Sequence, residues 1–448
     1  MSMDDRKERI AHMEKSTQSS KNITRRELLR RTGGAIIGTV GFPYVIGASV
    51  LGREGVPSPS NRRTLGGIGM GGQGVWNMQN FLGFQEVQAV AVCDVDQDRL
   101  DKAKKIIDDK YGNQDCATYR DFREVISRDD IDMVSLAVPD HWHAITAIMA
   151  ARAGKDIFAE KPLALTIGQG RRMSEEVKRA GVVWQTGSWQ RSKDHFRLAC
   201  ELVRNGRIGK VHTVKVGLPT GKSCEVQPVM PVPEGFDYDT WLGPAPEAPY
   251  TEKRCHYDFR WILDYSGGQL TDWAAHHCDI ANWAMKTEHT GPISVVGKGE
   301  FPEEGLWNAA VHYWIECEFA AGFKMILADG KYFKNGVRFE GTDGALFVSR
   351  DGLWTEPEGL KQSAVKPNEI HLEISRNHTG NFLECVRSRR TTITPIEVAH
   401  RAITIAHLGN IAMKLGRKLQ WDPQCERFVN DEQADKMLDR AGRSPWLL

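Results

Sequence analysis

Three patterns of apolar and polar positions follow one another along the chain. Residues 1–23 are polar and charged, and Thr24-Arg25-Arg26-Glu27-Leu28-Leu29-Arg30-Arg31 then leads into an uncharged, glycine-rich apolar run from about Gly33 to Leu51, broken by Pro43. From Thr64, short apolar runs at 64–68, 87–93, 132–138 and 156–159 alternate with helix-compatible stretches at 75–82, 98–110, 121–127 and 144–153. Continuous apolar strands joined by helices predict a parallel sheet covered on both faces. Beyond about Val182 the alternation changes. A helix is expected at 194–205, ending at Asn205-Gly206, then a strand at 211–217 and a long Pro-rich loop at 221–249. Further strands are expected at 293–299, 309–320, 323–328, 336–340 and 345–349, with Gly341-Thr342-Asp343-Gly344 as a hairpin turn, and helices at 377–388 and 395–415. The expected organisation is a signal segment at 1–52, a linker at 53–63, an α/β dinucleotide-binding domain at 64–182, a substrate domain at 183–425 and a tail at 426–448.

Composition narrows the class. The 448 residues are ample for two domains. Lys and Arg number 59 against 58 Asp and Glu, so charge gives no reason to expect nucleic acid or an acidic membrane as partner. Nine scattered cysteines without a C-x-x-C pair read as free, mostly buried thiols. The basic head and moderately apolar run resemble a twin-arginine export signal, with an uncleaved membrane anchor as the other reading. The first reading makes the twin-arginine export machinery a partner and the destination periplasmic or otherwise extracytoplasmic. That route carries folded proteins, so a dinucleotide would be loaded before export and retained.

Gly69-Met70-Gly71-Gly72-Gln73-Gly74 fits G-x-G-x-x-G immediately after the first strand. Gly69 permits a tight turn, Gly71 and Gly72 let a pyrophosphate approach the backbone, and Gly74 lets helix and strand pack closely. The next strand ends at Asp94, twenty residues after Gly74. An acid there accepts from both adenine-ribose hydroxyls and repels a 2′-phosphate, favouring NAD, while Arg99 nearby leaves NADP open. Ligands of such sheets bind outside the carboxyl ends of the strands, where Asp94, His143, Glu160 and Lys161 all fall.

With Glu160-Lys161-Pro162 and Asp272-Trp273-Ala274-Ala275-His276, which fits D-x-x-x-H, the chain resembles the glucose–fructose oxidoreductase / inositol dehydrogenase / MocA (Gfo/Idh/MocA) family, in an exported subgroup. The resemblance implies a Rossmann domain followed by an α+β domain with a large, open, mostly antiparallel sheet, whose free face builds a homodimer or homotetramer. It also implies that Pro139 and His143 flank the nicotinamide half of the cofactor, that Glu160 approaches its ribose, and that Lys161 sits between nicotinamide and substrate hydroxyl.

Hydride transfer from an alcohol carbon requires alignment against the nicotinamide, removal of the hydroxyl proton and stabilisation of the oxygen's charge. Lys161 suits the last task. Asp272 and His276 share a helix face at i and i+4, so the carboxylate is expected to orient the imidazole as general base. His277 is a further substrate candidate. So are His256, Tyr257 and Arg260 in the run before that helix, and Arg191 beside Trp189 near the hinge. No metal-ligand spacing is present, and no metal is expected. The expected function is a sugar or polyol dehydrogenase acting on a sugar or glycoside substrate. A redox glycosidase or lyase working by transient C3 oxidation, and a cofactor-binding regulator, are the other readings.

Overall fold

The computed structural model describes residues 61–363 and 365–448. The export segment and most of the linker lie outside the described residues. The first sheet begins at β1 (Arg63–Ile68) and continues through β2 (Val87–Cys93), β3 (Ala117–Tyr119), β4 (Met133–Leu136), β5 (Asp156–Ala159) and β6 (Trp184–Thr186). All neighbours are parallel, in the order β3-β2-β1-β4-β5-β6. The strand order reverses between β1 and β4, which opens a crevice at their carboxyl ends. The intervening helices are α1 (Gly72–Leu82), α2 (Gln97–Tyr111), α3 (Phe122–Ile126), α4 (Asp140–Arg152) and α5 (Ile167–Ala180). β4 and β5 are buried at every position, as a strand covered on both faces must be.

One boundary differs from expectation in a way that matters. α4 starts at Asp140, not at 144, because Pro139 in extended conformation (φ −61°, ψ 152°) supplies its N-cap. The run Asp140-His141-Trp142-His143 is therefore the first helical turn rather than a loop. α5 was not expected from the periodicity; Thr166 caps it by accepting from the Gln169 amide, and Gly181 ends it in the left-handed region.

The second sheet has nine strands. They are β7 (Val211–Gly217), β8 (Ser294–Glu300), β9 (His312–Glu318), β10 (Lys324–Ala328), β11 (Gly336–Gly341), β12 (Ala345–Ser349), β13 (Gly352–Glu356), β14 (Leu419–Asp422) and β15 (Arg427–Phe428), in the order β13-β12-β11-β7-β10-β9-β8-β14-β15. Only β7 and β10 run parallel, so the sheet is mostly antiparallel. β9 shows the two-sided pattern: Tyr313, Ile315 and Cys317 are buried, whereas His312, Trp314, Glu316 and Glu318 are half-exposed. The remaining helices are α6 (Asp194–Arg204), α7 (Tyr238–Leu242), α8 (Gly268–Met285), α9 (His378–Ser388), α10 (Ile396–Leu415) and α11 (Glu432–Asp435). α6, α8 and α10 pack together over the sheet's covered face.

Chain order and spatial order part company twice. α9 returns to the first domain, where Phe382 meets Phe81 and Phe158 edge-on at 6.0 and 5.7 Å. The segment read as a tail is a strap: the Leu438 carbonyl accepts from the Gly168 amide at 2.8 Å, and Trp446 packs edge-on against Trp142 at 4.8 Å. Both returns fasten the later part of the chain to the first domain.

The glycine turn yields a stability test. A Cβ on Gly74 would stand 1.9 Å from the Gly69 carbonyl oxygen, whereas one on Gly72 meets nothing within 4 Å. Gly74→Ala should lower unfolding stability by about 1–3 kcal/mol, and Gly72→Ala should leave it within about 0.5 kcal/mol. Denaturant melts of the two variants without nucleotide give the comparison, and equal midpoints would contradict it.

Candidate active site

The crevice is a cleft of about 470 Å³ at the carboxyl ends of β1, β2, β4 and β5, roofed by residues 240–272 of the second domain. At its floor, Gly69 adopts φ +81°, and a Cβ there would stand 2.6 Å from the Ala137 carbonyl oxygen. Glycine is required by both conformation and space. Gly71 is the N-cap of α1 and offers no side-chain cap, so first-turn amides are left for a ligand. That arrangement suits a diphosphate. The Arg99 guanidinium reaches over Gly71, with Nη1 2.9 Å from where a Cβ would be.

Asp94 stands at the end of β2. Its Oδ2 accepts from the Met70 amide at 2.6 Å and its Oδ1 from the Asp96 amide at 3.0 Å. Two amides hold the carboxylate in one orientation while each oxygen keeps a lone pair for a ribose hydroxyl. Burial pushes its pKa up, against the pull of those amides and Arg99. Glu160 is buried; its Oε1 accepts from Gln73 at 3.0 Å and Asn77 at 3.1 Å. Pro139 lines the wall between them. The open position at Gly72, the uncapped helix start and the oriented Asp94 together fit NAD.

The two domains meet at the reacting end. Lys161, just past β5, donates from Nζ to Asp272 Oδ1 at 2.6 Å, and Arg260 Nε lies 3.4 Å from the same oxygen. Burial opposes ionisation of Asp272, but Lys161 and Arg260 outweigh it and hold the carboxyl below its usual range. Arg260 stacks on Tyr257 at 4.5 Å, and the mostly exposed Tyr257 forms part of the mouth.

Several expected roles are corrected by this geometry. Asp272 does not orient His276, because its carboxylate is turned to Lys161 and Arg260. His276 is buried, and its Nδ1 has no hydrogen-bond partner. Burial, then Lys161, Arg350, His277 and His378, pull its pKa well below the ordinary value, so the ring is neutral at neutral pH. His143 lies behind the cleft wall: Nδ1 is 2.7 Å from the Pro162 carbonyl oxygen and Nε2 is 2.9 Å from that of Val138. It ties α4 to the loops after β4 and β5 and acts through them.

Arg191 is buried in a bidentate pair with Asp279 (2.8 and 2.7 Å) and stacks on Trp283 at 4.8 Å, away from the cleft. His277 Nε2 is 2.8 Å from Asn335 Oδ1, and burial lowers its pKa to about 4. Neither residue lines the cleft. His256 does, but at the adenosine end, 4.0 Å from Asp96 and tilted against Phe236 at 5.2 Å.

The cleft also contains residues not anticipated from the sequence. Asp140 is buried, lines the wall and accepts from Ser266 Oγ at 2.5 Å; burial pushes its pKa up. Trp142 lines it and donates to the Trp241 carbonyl oxygen at 3.1 Å. Placing the helix start at Pro139 would have revealed both. Arg120 and Trp241 also line it, and no local signal marks them. Arg120 Nη2 donates to the carbonyl oxygens of Val95 and Gly235, both at 2.9 Å, and the Gln97 amide donates to Gly235 at 3.1 Å. The Pro-rich insertion is thereby fastened to the loop that carries Asp94. Among the described residues, no group of three or more His, Cys, Asp or Glu is placed to hold a metal ion.

Comparison with known proteins agrees with this architecture. Over 224 residues the chain is 29% identical to myo-inositol 2-dehydrogenase of Thermotoga maritima, covering 50% of this chain and 55% of that protein. Over 162 residues it is 32% identical to alpha-N-acetylgalactosaminidase of Shewanella oneidensis, covering 33% of this chain and 35% of that protein. The chain thus spans about half, or less, of the length of these curated relatives. GenD2 from gentamicin A biosynthesis, solved with NAD, superposes with a TM-score of 0.58 at 18% identity, covering 81% of this chain and 97% of that one, which shows a shared fold. Residues 64–188 match the family model for the oxidoreductase NAD-binding Rossmann fold, and residues 200–448 match that of the same family's C-terminal alpha/beta domain. With more than half of its length matched by the second of these alone, the chain belongs to the Gfo/Idh/MocA oxidoreductase family.

Proposed function

We propose that this protein is an NAD-dependent dehydrogenase that moves a hydride between the nicotinamide and a hydroxyl-bearing carbon of a sugar or polyol. The observation that carries this reading is the 2.6 Å Lys161–Asp272 pair, made between the two domains on the wall of the cleft that holds the glycine turn. NAD, when bound, supplies the hydride acceptor. Gly69, Gly71, Gly72 and Gly74 shape its diphosphate seat, Asp94 and Glu160 take its riboses, and Pro139 bounds the nicotinamide side.

Lys161 Nζ is the donor available to the reacting oxygen, and the Asp272 carboxylate, which Arg260 also holds, keeps it in place. His276, one helical turn from Asp272 and buried outside the residues that line the cleft, is neutral and is assigned to take the hydroxyl proton, a step its surroundings make costly because they disfavour the imidazolium that forms. A second reading, a redox glycosidase, is favoured by the Shewanella oneidensis relative and by the fastening of the insertion over the adenosine end. Transient oxidation at C3 would acidify the neighbouring C–H, elimination would expel the aglycone, water would add to the resulting enone, and re-reduction at C3 would return the nucleotide unchanged.

The fastening supports a retained cofactor, which in turn fits an exported protein loaded before it crosses the membrane. Protein isolated from the extracytoplasmic fraction and then denatured should release NAD(H). Arg120→Ala should lose nucleotide on dialysis several-fold faster, by removal of two backbone-directed hydrogen bonds. Release of a 2′-phosphorylated nucleotide, or recovery only from the cytoplasm, would contradict these assignments. The sheet's uncovered face, where Tyr332 and Trp354 are exposed and Trp314 is partly so, is assigned to a homodimer or homotetramer. Light scattering at the mass of one chain would remove that assignment.

Kinetics with added NAD test the chemistry. Lys161→Ala should lower kcat/KM by about 10²–10⁴-fold while binding NAD normally. A lowered pKa means His276 stays unprotonated to lower pH, so wild-type oxidation should show no acid limb near pH 6.5. An acid limb there that disappears in His276→Gln would overturn the lowered pKa, and equal turnover in wild type and His276→Gln would overturn the base assignment. Stoichiometric NADH from a polyol supports the dehydrogenase; free aglycone from a glycoside with catalytic NAD supports the glycosidase.

A further inference from the structure

Beside the reacting end lies a cation that the mechanism above does not use. Arg350, in the turn between β12 and β13, places its guanidinium carbon 4.7 Å from the Trp189 ring centroid and 4.5 Å from that of Trp273. With the Gln190 amide turned to satisfy both of its neighbours, its nitrogen donates to the His276 carbonyl at 3.2 Å and its oxygen accepts from Arg350 Nε at 3.3 Å. Stacking occupies the faces of the guanidinium and Gln190 takes one edge. The edge carrying the two Nη groups is left, and its geometry matches a carboxylate.

Three less exposed arginines of this protein are neutralised, whereas Arg350 itself is exposed. Arg191 has Asp279, Arg171 has Glu397 and Glu426, and Arg204 has Glu288. Arg350 has no ion-pair partner among the described residues. Asp272, the one acid that acts on it, is already shared by Lys161 and Arg260, so three cations face a single carboxylate. A second observation marks the same place: His276, with its orphaned, buried Nδ1, lies against both tryptophans, at 6.4 Å from Trp189 and 6.1 Å from Trp273. A buried polar atom without a partner beside an unpaired cation is a site short of a ligand.

We propose that Arg350, held by Trp189 and Trp273, binds a carboxylate borne by the substrate, so that the substrate class is acidic sugars such as hexuronates rather than neutral polyols. This rests on the sugar-oxidoreductase reading. The tryptophan faces take the sugar's apolar C–H surface, and the Nη edge takes the carboxylate. His276 Nδ1 gains a hydroxyl partner in the same event.

Calorimetry on the NADH-loaded full chain tests it, with D-glucuronate, D-galacturonate, their parent hexoses and glucose 6-phosphate as probes. Each uronate should bind about tenfold or more tightly than its parent, from two charge-assisted hydrogen bonds. Arg350→Met should abolish that difference, and Arg350→Lys should keep only part of it. The wild-type comparison stands even if a variant fails to fold. Equal affinities for uronate and hexose, a preference that survives in Arg350→Met, or tighter binding of the phosphate than of either uronate would overturn the proposal. NADH formation from neutral polyols without a uronate preference rejects the subsite and leaves the redox reading intact. Uronate preference without any NADH formation does the reverse.

Discussion

The ion pair between Lys161 and Asp272 is the constraint around which the molecule is arranged. One partner leaves the end of a strand in the first domain, and the other is carried by a helix in the second, so the pair forms only when the two domains are correctly docked. Both side chains are largely shielded, at 17% and 12% exposure, which makes the loss of either costly. Removing one member of a buried pair leaves a desolvated charge, a penalty of roughly 3–5 kcal/mol where burial is complete. Arg260 moderates that cost by keeping a second cation on Asp272. The chemistry and the docking of the domains therefore depend on the same contact.

The helix that carries Asp272 explains how such a contact is held. α8 is buried along almost its whole length yet contains Thr271, Asp272, His276, His277, Asp279 and Asn282. Nearly every one has a named partner: Asp279 has Arg191, His277 has Asn335, and Asn282 Oδ1 accepts from Thr287. A buried polar network rigidifies when satisfied and is costly when it is not. His276 Nδ1 and Asn282 Nδ2 are the exceptions, and His276 lies against Trp189 and Trp273.

The insertion at 221–249 and the C-terminal strap act on the other end of the cleft. Both cross from the second domain to the first: the Arg120 guanidinium bridges the Val95 and Gly235 carbonyls, and Leu438 receives the Gly168 amide beside an Arg172–Asp439 ion pair. Closure of this kind excludes water and slows exchange of whatever lies beneath. A cofactor that stays bound has to be regenerated in place, which suits a reaction that reverses itself or passes its hydride to a second substrate.

Much of the first domain was legible in the chain order. The turn from Gly69 to Gly74, the acid at Asp94, the strand ends at Glu160 and Lys161 and the helix-face spacing of Asp272 and His276 are local patterns, set by backbone sterics and by the repeat of each element. The nine-stranded sheet was legible only strand by strand; its order joins residues more than a hundred positions apart, as in β7 beside β10 and β11. Local spacing also placed Asp272 and His276 on one face without revealing that Asp272 turns to Lys161. It gave Arg191 and His277 the look of substrate ligands, although buried partners claim both. Arg350, Arg120 and Trp241 carry no local mark at all. The sequence by itself determined which elements form and which chemistry each can offer, because those follow from short-range sterics and periodicity. Only the tertiary structure decided which charges pair and which are left free, because pairing depends on distances between elements that no spacing along the chain encodes.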